Sequence, residues 1–299
     1  MQRINLYWFK TSTGNGNFGD ELNHFIVSRL TDCEINRILI PSSGIDFIYK
    51  CLSGFYNRNI SLREIPILIE QFFMKDIIIG IGSVIALNRN SSAKVWGSGI
   101  IRRDDLITEA EFLAVRGVYT QNRLKELGRN SPEVIGDPAL LLPLLYKVKT
   151  RAKFKLGIIP HYIHYDRIKN GINSSSVLIV NLLDPIEKVL NQILSCEFTI
   201  STSLHGIIVS QAYKIPSLWY RILEKPLTGD SIKFYDYFSS VGIDKYEPFE
   251  LSIRDFQIDR TIKQFELYED VTLIKNDLSK IQQDLINVAP FRVLDKYFK

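Results

Sequence analysis

The sequence predicts an α/β protein. Short apolar runs typical of buried strands alternate with segments whose apolar residues recur at helical spacing, and the alternation continues through both halves of the chain. A chain of 299 residues with 45% hydrophobic residues can bury one large core or two cores of roughly 100–200 residues each, and we expect two. Open α/β sheets bind ligands at the carboxyl ends of their strands, so polar residues at those positions are candidates for function.

Composition and charge exclude several classes of protein. The net charge is +4 and the basic residues are scattered without a stripe, so nucleic acid is not an expected partner. Cys33, Cys51 and Cys196 have no paired spacing, which argues against a disulfide framework or a zinc site and fits a reducing cytoplasm. No run reaches the roughly 18 apolar residues of a membrane helix, so we expect a cytoplasmic protein that could touch a membrane surface.

The first predicted strand and helix are joined by a polar loop. Residues 4–9 form an apolar run typical of a buried strand, and residues 20–30 carry one apolar face at helical spacing. Asn17 and Asp20 therefore place an amide and a carboxylate at the carboxyl end of the first strand, where a ligand is expected. The alternative is that Asp20 only caps the helix.

Three glycines in this loop match the spacing of the dinucleotide-binding fingerprint. Gly14, Gly16 and Gly19 would let the backbone approach a pyrophosphate at a helix start. Four polar residues separate the strand from Gly14, and the next predicted strand, residues 35–40, ends without the acid that would hold a ribose. The match is therefore weak evidence for a dinucleotide.

Later strands of the first half also end in turns with chemically useful residues. The apolar run 76–82 is typical of a strand buried on both faces, and Gly82 and Ser83 end it. Arg116 follows a short predicted strand, where its guanidinium could bind an anion or form a surface salt bridge. Asp137 lies in a Gly-Asp-Pro turn, which could use its carboxylate structurally.

A second series of strands and helices begins after residue 146. Basic residues alternate with others between 147 and 155, which predicts domains at 1–146 and 147–250, followed by a helical segment at 251–299 that could pack across their interface. His161 and His164 are three residues apart, but no acidic or cysteine partner stands at a metal-ligand spacing. We therefore predict no metal site.

Residues 199–217 are the most informative stretch, because a strand there passes into a helix near Ser203. His205 lies in the first turn, Ser203 can cap it, Lys214 suits the last turn, and Pro216 ends the helix. The unpaired N–H groups of such a helix start favour an anion by about 0.3–1 kcal/mol, so a phosphate or carboxylate could bind here. The alternative is a buried histidine that is satisfied by a backbone carbonyl.

In the order and spacing of these motifs, the chain resembles the polysaccharide pyruvyltransferase family. These enzymes move a pyruvyl group from phosphoenolpyruvate to a sugar, commonly as a ketal. The resemblance implies two Rossmann-like domains facing a cleft in a GT-B-like architecture, with the acceptor on the first domain and the donor on the second. The matching motifs reach to about residue 236 and are Asn17-Phe18-Gly19-Asp20, Gly80-Ile81-Gly82-Ser83, Val115-Arg116-Gly117 with Thr120 and Leu124, Gly136-Asp137-Pro138-Ala139 and Ser203-Leu204-His205-Gly206.

The resemblance also implies roles for individual residues. Arg116 and His205 match positions associated with phosphoenolpyruvate in relatives. Some relatives carry an arginine where this chain has Ser203, so we expect another cation to compensate. The expected residues are His205 and Asp20 for catalysis; Arg116, Ser203, Leu204, Gly206, Lys214, Arg221 and Lys233 for the donor; and Asn17, Gly19, Gly82, Ser83 and Asp137 for the acceptor.

The implied chemistry needs proton transfer and anion binding. A sugar hydroxyl attacks C2 of phosphoenolpyruvate, C3 gains a proton, phosphate leaves, and a second hydroxyl closes the ketal. An imidazole can exchange that proton or support the departing phosphate, and no metal or cofactor besides the donor is expected.

The expected acceptor is a sugar unit of a lipid-linked precursor of a surface polysaccharide, reached at the inner face of the cell membrane. The alternatives are a GT-B glycosyltransferase with a nucleotide-sugar donor and a non-catalytic sugar- or nucleotide-binding protein.

Overall fold

The computed structural model describes residues 3–9, 16–57, 60–72, 74, 76–148, 151–222, 226–227 and 229–298. Within these residues the chain forms two parallel β-sheets and eleven α-helices, which confirms the predicted α/β class. Gly14 of the glycine-rich loop and Lys149 of the predicted boundary segment lie outside the described residues.

The first half of the chain forms a six-stranded sheet. Its strands are β1 Arg3–Tyr7, β2 Glu34–Ile38, β3 Ile77–Ile79, β4 Lys94–Trp96, β5 Glu111–Val115 and β6 Val134–Ile135. Its helices are α1 Phe18–Leu30, α2 Gly44–Tyr56, α3 Ile65–Phe72, α4 Val118–Glu126 and α5 Leu142–Leu145. The strand order is β2-β1-β3-β4-β5-β6, and every neighbouring pair is parallel. All three residues of β3 are buried, as expected for a strand covered on both faces.

The second half forms a five-stranded sheet of the same kind. Its strands are β7 Phe154–Ile159, β8 Val177–Ile179, β9 Cys196–Ser201, β10 Ser217–Arg221 and β11 Phe249–Glu250. Its helices are α6 Tyr165–Gly171, α7 Ile186–Leu194, α8 Leu204–Ala212 and α9 Ile232–Val241. The strand order is β11-β10-β9-β7-β8, again with parallel neighbours.

The C-terminal residues form α10 Ile258–Leu267 and α11 Leu278–Asn287. Phe265 of α10 packs on Phe198 of the second sheet, with the ring centroids 4.8 Å apart. The backbone carbonyl of Leu285 in α11 accepts a 2.9 Å hydrogen bond from the indole Nε1 of Trp96, which belongs to the first sheet. The tail therefore contacts elements of both halves.

The packing differs from the two separate cores that the sequence predicts. Buried apolar residues of both sheets form one continuous cluster, because α1 packs on α7 and α4 packs on α9 across the two halves. The domain limits at residues 146 and 250, and the GT-B-like arrangement, stay predictions. Among the described residues, none of the helices combines the length and the apolar composition that a membrane span requires.

Candidate active site

A cavity of about 530 Å³ lies where strands of both sheets end. Loops that follow β1, β3 and β4 of the first sheet meet loops that follow β7, β9 and β10 of the second. The lining contains the predicted site residues Asn17, Asp20, Gly82, Ser83, Ser203, Leu204, His205 and Lys233, together with His161, Arg102 and Asp105. Residues from distant parts of the sequence are therefore brought to one cavity.

Asn17 fixes the start of α1 and the position of Asp20. Its Oδ1 accepts a 3.2 Å hydrogen bond from the backbone N–H of Gly19, so Asn17 is the N-cap residue and Asp20 is not. Its Nδ2 donates a 2.6 Å hydrogen bond to Oδ2 of Asp20. Asp20 therefore presents a held carboxyl group to the cavity.

Gly19 allows the two halves of the site to touch. A Cβ atom at this position would overlap with Nδ1 of His205, so the imidazole lies directly against the backbone of α1. A residue with a side chain would push the ring away. The family resemblance implies a contact between Gly19 and the acceptor, but the structure places Gly19 against His205, and Gly19 does not line the cavity.

His205 is the second residue of α8 and its side chain is 12% exposed. Its Nε2 lies 3.6 Å from Oδ2 of Asp137 and has no hydrogen-bond partner among the described residues. Nε2 therefore does not donate a hydrogen bond to a backbone carbonyl of the described residues, which excludes the alternative for this ring nitrogen. Gly206 follows the imidazole and packs against Ser201 behind the cavity instead of lining it.

Ser203 occupies the predicted N-cap position of α8, but its hydroxyl makes no capping hydrogen bond. The expected cap is wrong in this respect, because the hydroxyl of Ser201 accepts a 2.9 Å hydrogen bond from the backbone N–H of Ser203 and fixes the turn instead. The first turn of α8 is left without a side-chain cap, beside a cavity that Ser203 and Leu204 both line. Such a helix start suits an anion.

Burial changes the protonation of three groups in the cavity. It raises the pKa of Asp20 to about 6, although the neighbouring His205 and the hydrogen bond from Asn17 act in the opposite direction. Burial lowers the pKa of Lys233 to about 8, and the positive charge of Arg116 lowers it further. It also lowers the pKa of His161 to about 3, so this ring is neutral at pH 7. A carboxyl group and an ammonium group that titrate near neutrality thus share one cavity.

Arg116 does not reach the cavity surface. Its side chain is 0% exposed, and Nε lies 3.0 Å from Oδ2 of Asp236 on α9. Nη1 donates a 2.6 Å hydrogen bond to the hydroxyl of Ser83, and Nη2 donates one of the same length to the carbonyl of Ile100. The predicted surface salt bridge is therefore wrong, and the expected anion contact would require these bonds to break. In this structure Arg116 supports Ser83, which does line the cavity.

Asp137 is also placed behind the cavity. Its side chain is 0% exposed, and its Oδ1 accepts a 2.9 Å hydrogen bond from the backbone N–H of Ala139. The expected direct contact with an acceptor does not fit this burial. The carboxylate instead faces Nε2 of His205, whereas Gly19 lies against the other ring nitrogen, Nδ1.

Of the three cations expected to compensate for the missing arginine, only Lys233 lines the cavity. Lys214 is exposed near the C-terminal end of α8, far along the helix from His205. Arg221 is 48% exposed and forms a surface ion pair with Glu250 at 3.1 Å. The structure therefore does not bring Lys214 and Arg221 to His205.

Several residues of this region are not among the predicted site residues, including Arg102, Asp105, His161 and Asp236. The spacing of His161 and His164 raises only the question of a metal ligand, yet His161 follows β7 and lines the cavity, a position at which α/β sheets bind ligands. Asp236 gave no such signal, because its partner Arg116 lies 120 residues away in the sequence. The described residues contain no group of three or more side chains that could hold a metal ion.

The chain is similar in sequence to a known protein family and to individual known proteins. The family model described as polysaccharide pyruvyl transferase matches residues 17–222. An uncharacterized protein of Acanthamoeba polyphaga mimivirus is 34% identical over 300 residues, which cover 94% of this chain and 92% of that protein. A pantothenate kinase of Lactococcus lactis is 29% identical over 185 residues, which cover 56% of this chain and 57% of the kinase.

Proposed function

Because this chain belongs to the polysaccharide pyruvyl transferase family, which is a family of transferases, we propose that it transfers the pyruvyl group of phosphoenolpyruvate to a sugar. The product is a pyruvate ketal on a surface-polysaccharide precursor, and phosphate is released. One observation carries the proposal: Asp20 of the first half, and His205 and Lys233 of the second, line a single cavity. The reaction needs a proton acceptor, a proton donor and a cation, and these three side chains supply them.

The donor would bind on the side of the second sheet. Phosphoenolpyruvate carries a carboxylate and a phosphate, and Lys233 lines the cavity together with the start of α8. Ser203 and Leu204 would hold the donor through the uncapped first turn of this helix. The acceptor would then lie on the side of the first sheet, near Asn17, Gly82 and Ser83.

The protons of the reaction can be balanced with the residues present. The first sugar hydroxyl loses a proton to Asp20 as its oxygen bonds to C2, and C3 gains a proton from His205. The bond from C2 to the phosphate oxygen then breaks, and the second hydroxyl bonds to C2 and loses its proton. That second proton leaves with the phosphate. Asp20 now carries one extra proton and His205 lacks one, so a proton must pass from Asp20 to His205, directly or through solvent, before the enzyme is back in its starting state. No cofactor besides the donor is needed for these steps.

The acceptor is proposed to be a sugar unit of a lipid-linked oligosaccharide. The enzyme would meet this substrate from the cytoplasm, at the inner face of the cell membrane. Purified protein should therefore modify the lipid-linked form at a kcat/KM at least equal to that for the free oligosaccharide. A strong preference for the free oligosaccharide would contradict this part of the proposal.

The test is incubation of the protein with phosphoenolpyruvate and candidate sugar acceptors, followed by mass spectrometry and phosphate measurement. We expect acceptor-dependent phosphate release together with the mass gain of a pyruvyl ketal. His205→Ala should reduce turnover by roughly 10²–10⁴-fold if the imidazole transfers the proton, whereas His24→Ala, at an exposed position outside the cavity, should not. Release of a nucleoside diphosphate from a nucleotide sugar would instead indicate a glycosyltransferase.

A further inference from the structure

Asp137 and His205 form a buried pair in which neither facing atom has another partner among the described residues. Oδ2 of Asp137 and Nε2 of His205 lie 3.6 Å apart. Both atoms are buried, and neither makes a hydrogen bond to any other described residue. Buried polar atoms in folded proteins are normally paired, because an unpaired one costs free energy. The two atoms are therefore the natural partners of each other.

The local backbone holds Asp137 in this position. Gly136 adopts φ +153°, and a Cβ there would lie 2.9 Å from Ile281 of α11, so the turn after β6 is packed tightly against the tail. Pro138 then opens a short 3-10 helix, whose first turn is capped by Oδ1 of Asp137. Since Oδ1 is engaged by this cap, only Oδ2 is free to face the imidazole.

The two ring nitrogens of His205 lie in different surroundings. Nε2 is buried against Asp137, whereas Nδ1 lies beside Gly19 at the start of α1, next to the cavity. An ionised carboxylate accepts hydrogen bonds and cannot donate them. The position of the Asp137 carboxylate beside Nε2 therefore favours the ring form in which Nε2 carries the hydrogen and Nδ1 has a free lone pair.

We propose that Asp137 is a positioning residue that accepts the Nε2–H of His205 and fixes the imidazole with Nδ1 as its reactive nitrogen. The carboxylate would also stabilise the positive charge that appears when Nδ1 takes up a proton. The 3.6 Å separation is long for a hydrogen bond, and such contacts often shorten only when the substrate is bound. The catalytic consequence rests on the proposed function, but the ring form does not.

The ring form can be measured without any substrate. Nitrogen-15 NMR of the ligand-free protein distinguishes protonated from unprotonated ring nitrogens, and His205→Gln assigns the signals among the 4 histidines. At a pH where the ring is neutral, we expect the hydrogen on Nε2. In Asp137→Asn, the amide oxygen can keep the cap to Ala139 while the amide N–H₂ faces Nε2, so the hydrogen should move to Nδ1. A wild-type ring with its hydrogen on Nδ1 would overturn the proposal.

Kinetics provide a second test. Asp137→Asn should lower kcat at least about 10²-fold, because a neutral amide would no longer stabilise the positively charged ring whose Nδ1–H gives its proton to C3. The donor KM should change little, since Asp137 does not line the cavity. Asp277→Asn is the matched control, because Asp277 caps α11 through its side chain and lies outside the cavity, and it should leave kcat unchanged. An unchanged kcat in Asp137→Asn would also overturn the proposal.

The two tests separate this proposal from the proposed function. If Asp137→Asn does not fold, the wild-type NMR measurement still decides the matter. If pyruvyl transfer is not found but Nε2 carries the hydrogen, the proposed function fails and the pairing of Asp137 with His205 stands.

Discussion

The side chains of Asp20 and Lys233 titrate near neutral pH because both are removed from water. Burial raises the pKa of Asp20 to about 6 and lowers the pKa of Lys233 to about 8. Between these values both groups are charged, as a proton-accepting carboxylate and an anion-binding ammonium must be. Perturbed groups that share a cavity are typical of functional sites.

These pKa values predict the pH dependence of the proposed reaction. The ratio kcat/KM should rise through about pH 6 as Asp20 loses its proton, and fall above about pH 8 as Lys233 loses its charge. Lys233→Arg should remove the fall, because a guanidinium keeps its proton throughout the pH range of the experiment. Ionisation of the substrate is the same for both proteins, so the comparison isolates the lysine. A fall that is identical in the variant would contradict the assignment.

Lys233 should dominate donor binding among the three expected cations. Lys233→Ala should raise the donor KM at least about tenfold, since a charge-assisted contact contributes roughly 1.5–3 kcal/mol. Lys214→Ala is the control, because Lys214 is exposed and does not line the cavity. Steady-state kinetics over a range of phosphoenolpyruvate concentrations measure both variants. Equal donor KM values for the two variants would contradict the role of Lys233.

Single residues differ in how far the sequence could predict them. Asp20 and His205 could be found because each follows a strand at the edge where α/β sheets bind ligands. The burial of Arg116 and Asp137 could not, since it depends on residues 120 and 68 positions away that only the fold brings close. A strand-end position predicts proximity to the site, but not which way a side chain points.

At the scale of elements, a buried ion pair joins the turn after β5 to α9. Arg116 and Asp236 are both 0% exposed, and Asp236 also accepts hydrogen bonds from the backbone N–H and the hydroxyl of Thr120. The turn comes from the first half of the chain and α9 from the second. Because α9 also carries Lys233, this ion pair fixes the helix that brings the cation to the cavity.

Removal of Arg116 should therefore affect stability as well as activity. Arg116→Ala leaves the carboxylate of Asp236 buried without its cation, and the free energy of unfolding should fall by about 3–5 kcal/mol. Arg221→Ala removes an exposed ion pair and should cost about 0–1 kcal/mol. Urea unfolding followed by circular dichroism measures both. A loss for Arg116→Ala no larger than that for Arg221→Ala would show that the buried pair does not join the two halves.

At the scale of the whole molecule, the C-terminal tail returns to the first sheet. Leu285 of α11 is 0% exposed, and its carbonyl accepts the indole hydrogen bond of Trp96. Gln282 donates a 2.7 Å hydrogen bond to the carbonyl of Leu140. The tail thereby covers the turn that holds Asp137, although it lies more than a hundred residues further along the chain.

Truncation of the tail's buried leucine tests this arrangement. Leu285→Ala should lower the free energy of unfolding by about 2–5 kcal/mol, the range for a large-to-small change in a packed core. Leu267→Ala is the control, because Leu267 of α10 is 76% exposed and should change stability by about 0.5 kcal/mol or less. Equal unfolding midpoints for the two variants would show that α11 does not pack as described.

The sequence predicts the class and periodicity of the fold better than its assembly. Alternating strands and helices follow from local patterns, and the two parallel sheets confirm them. The continuous core could not be predicted, because the contacts of α1 with α7 and of α4 with α9 join segments with no local signal for each other. The return of α11 to Trp96 is of the same kind.

Pyruvyl transfer is tested most directly by a reaction in which the donor and the acceptor are followed together. Wild-type protein and His205→Ala are incubated with phosphoenolpyruvate and a lipid-linked oligosaccharide, and the products are analysed by mass spectrometry. We expect the wild-type protein to attach a pyruvyl ketal and to release one phosphate for each ketal formed, and we expect His205→Ala to be strongly impaired. Phosphate release without a modified sugar, or equal product from both proteins, would contradict this expectation.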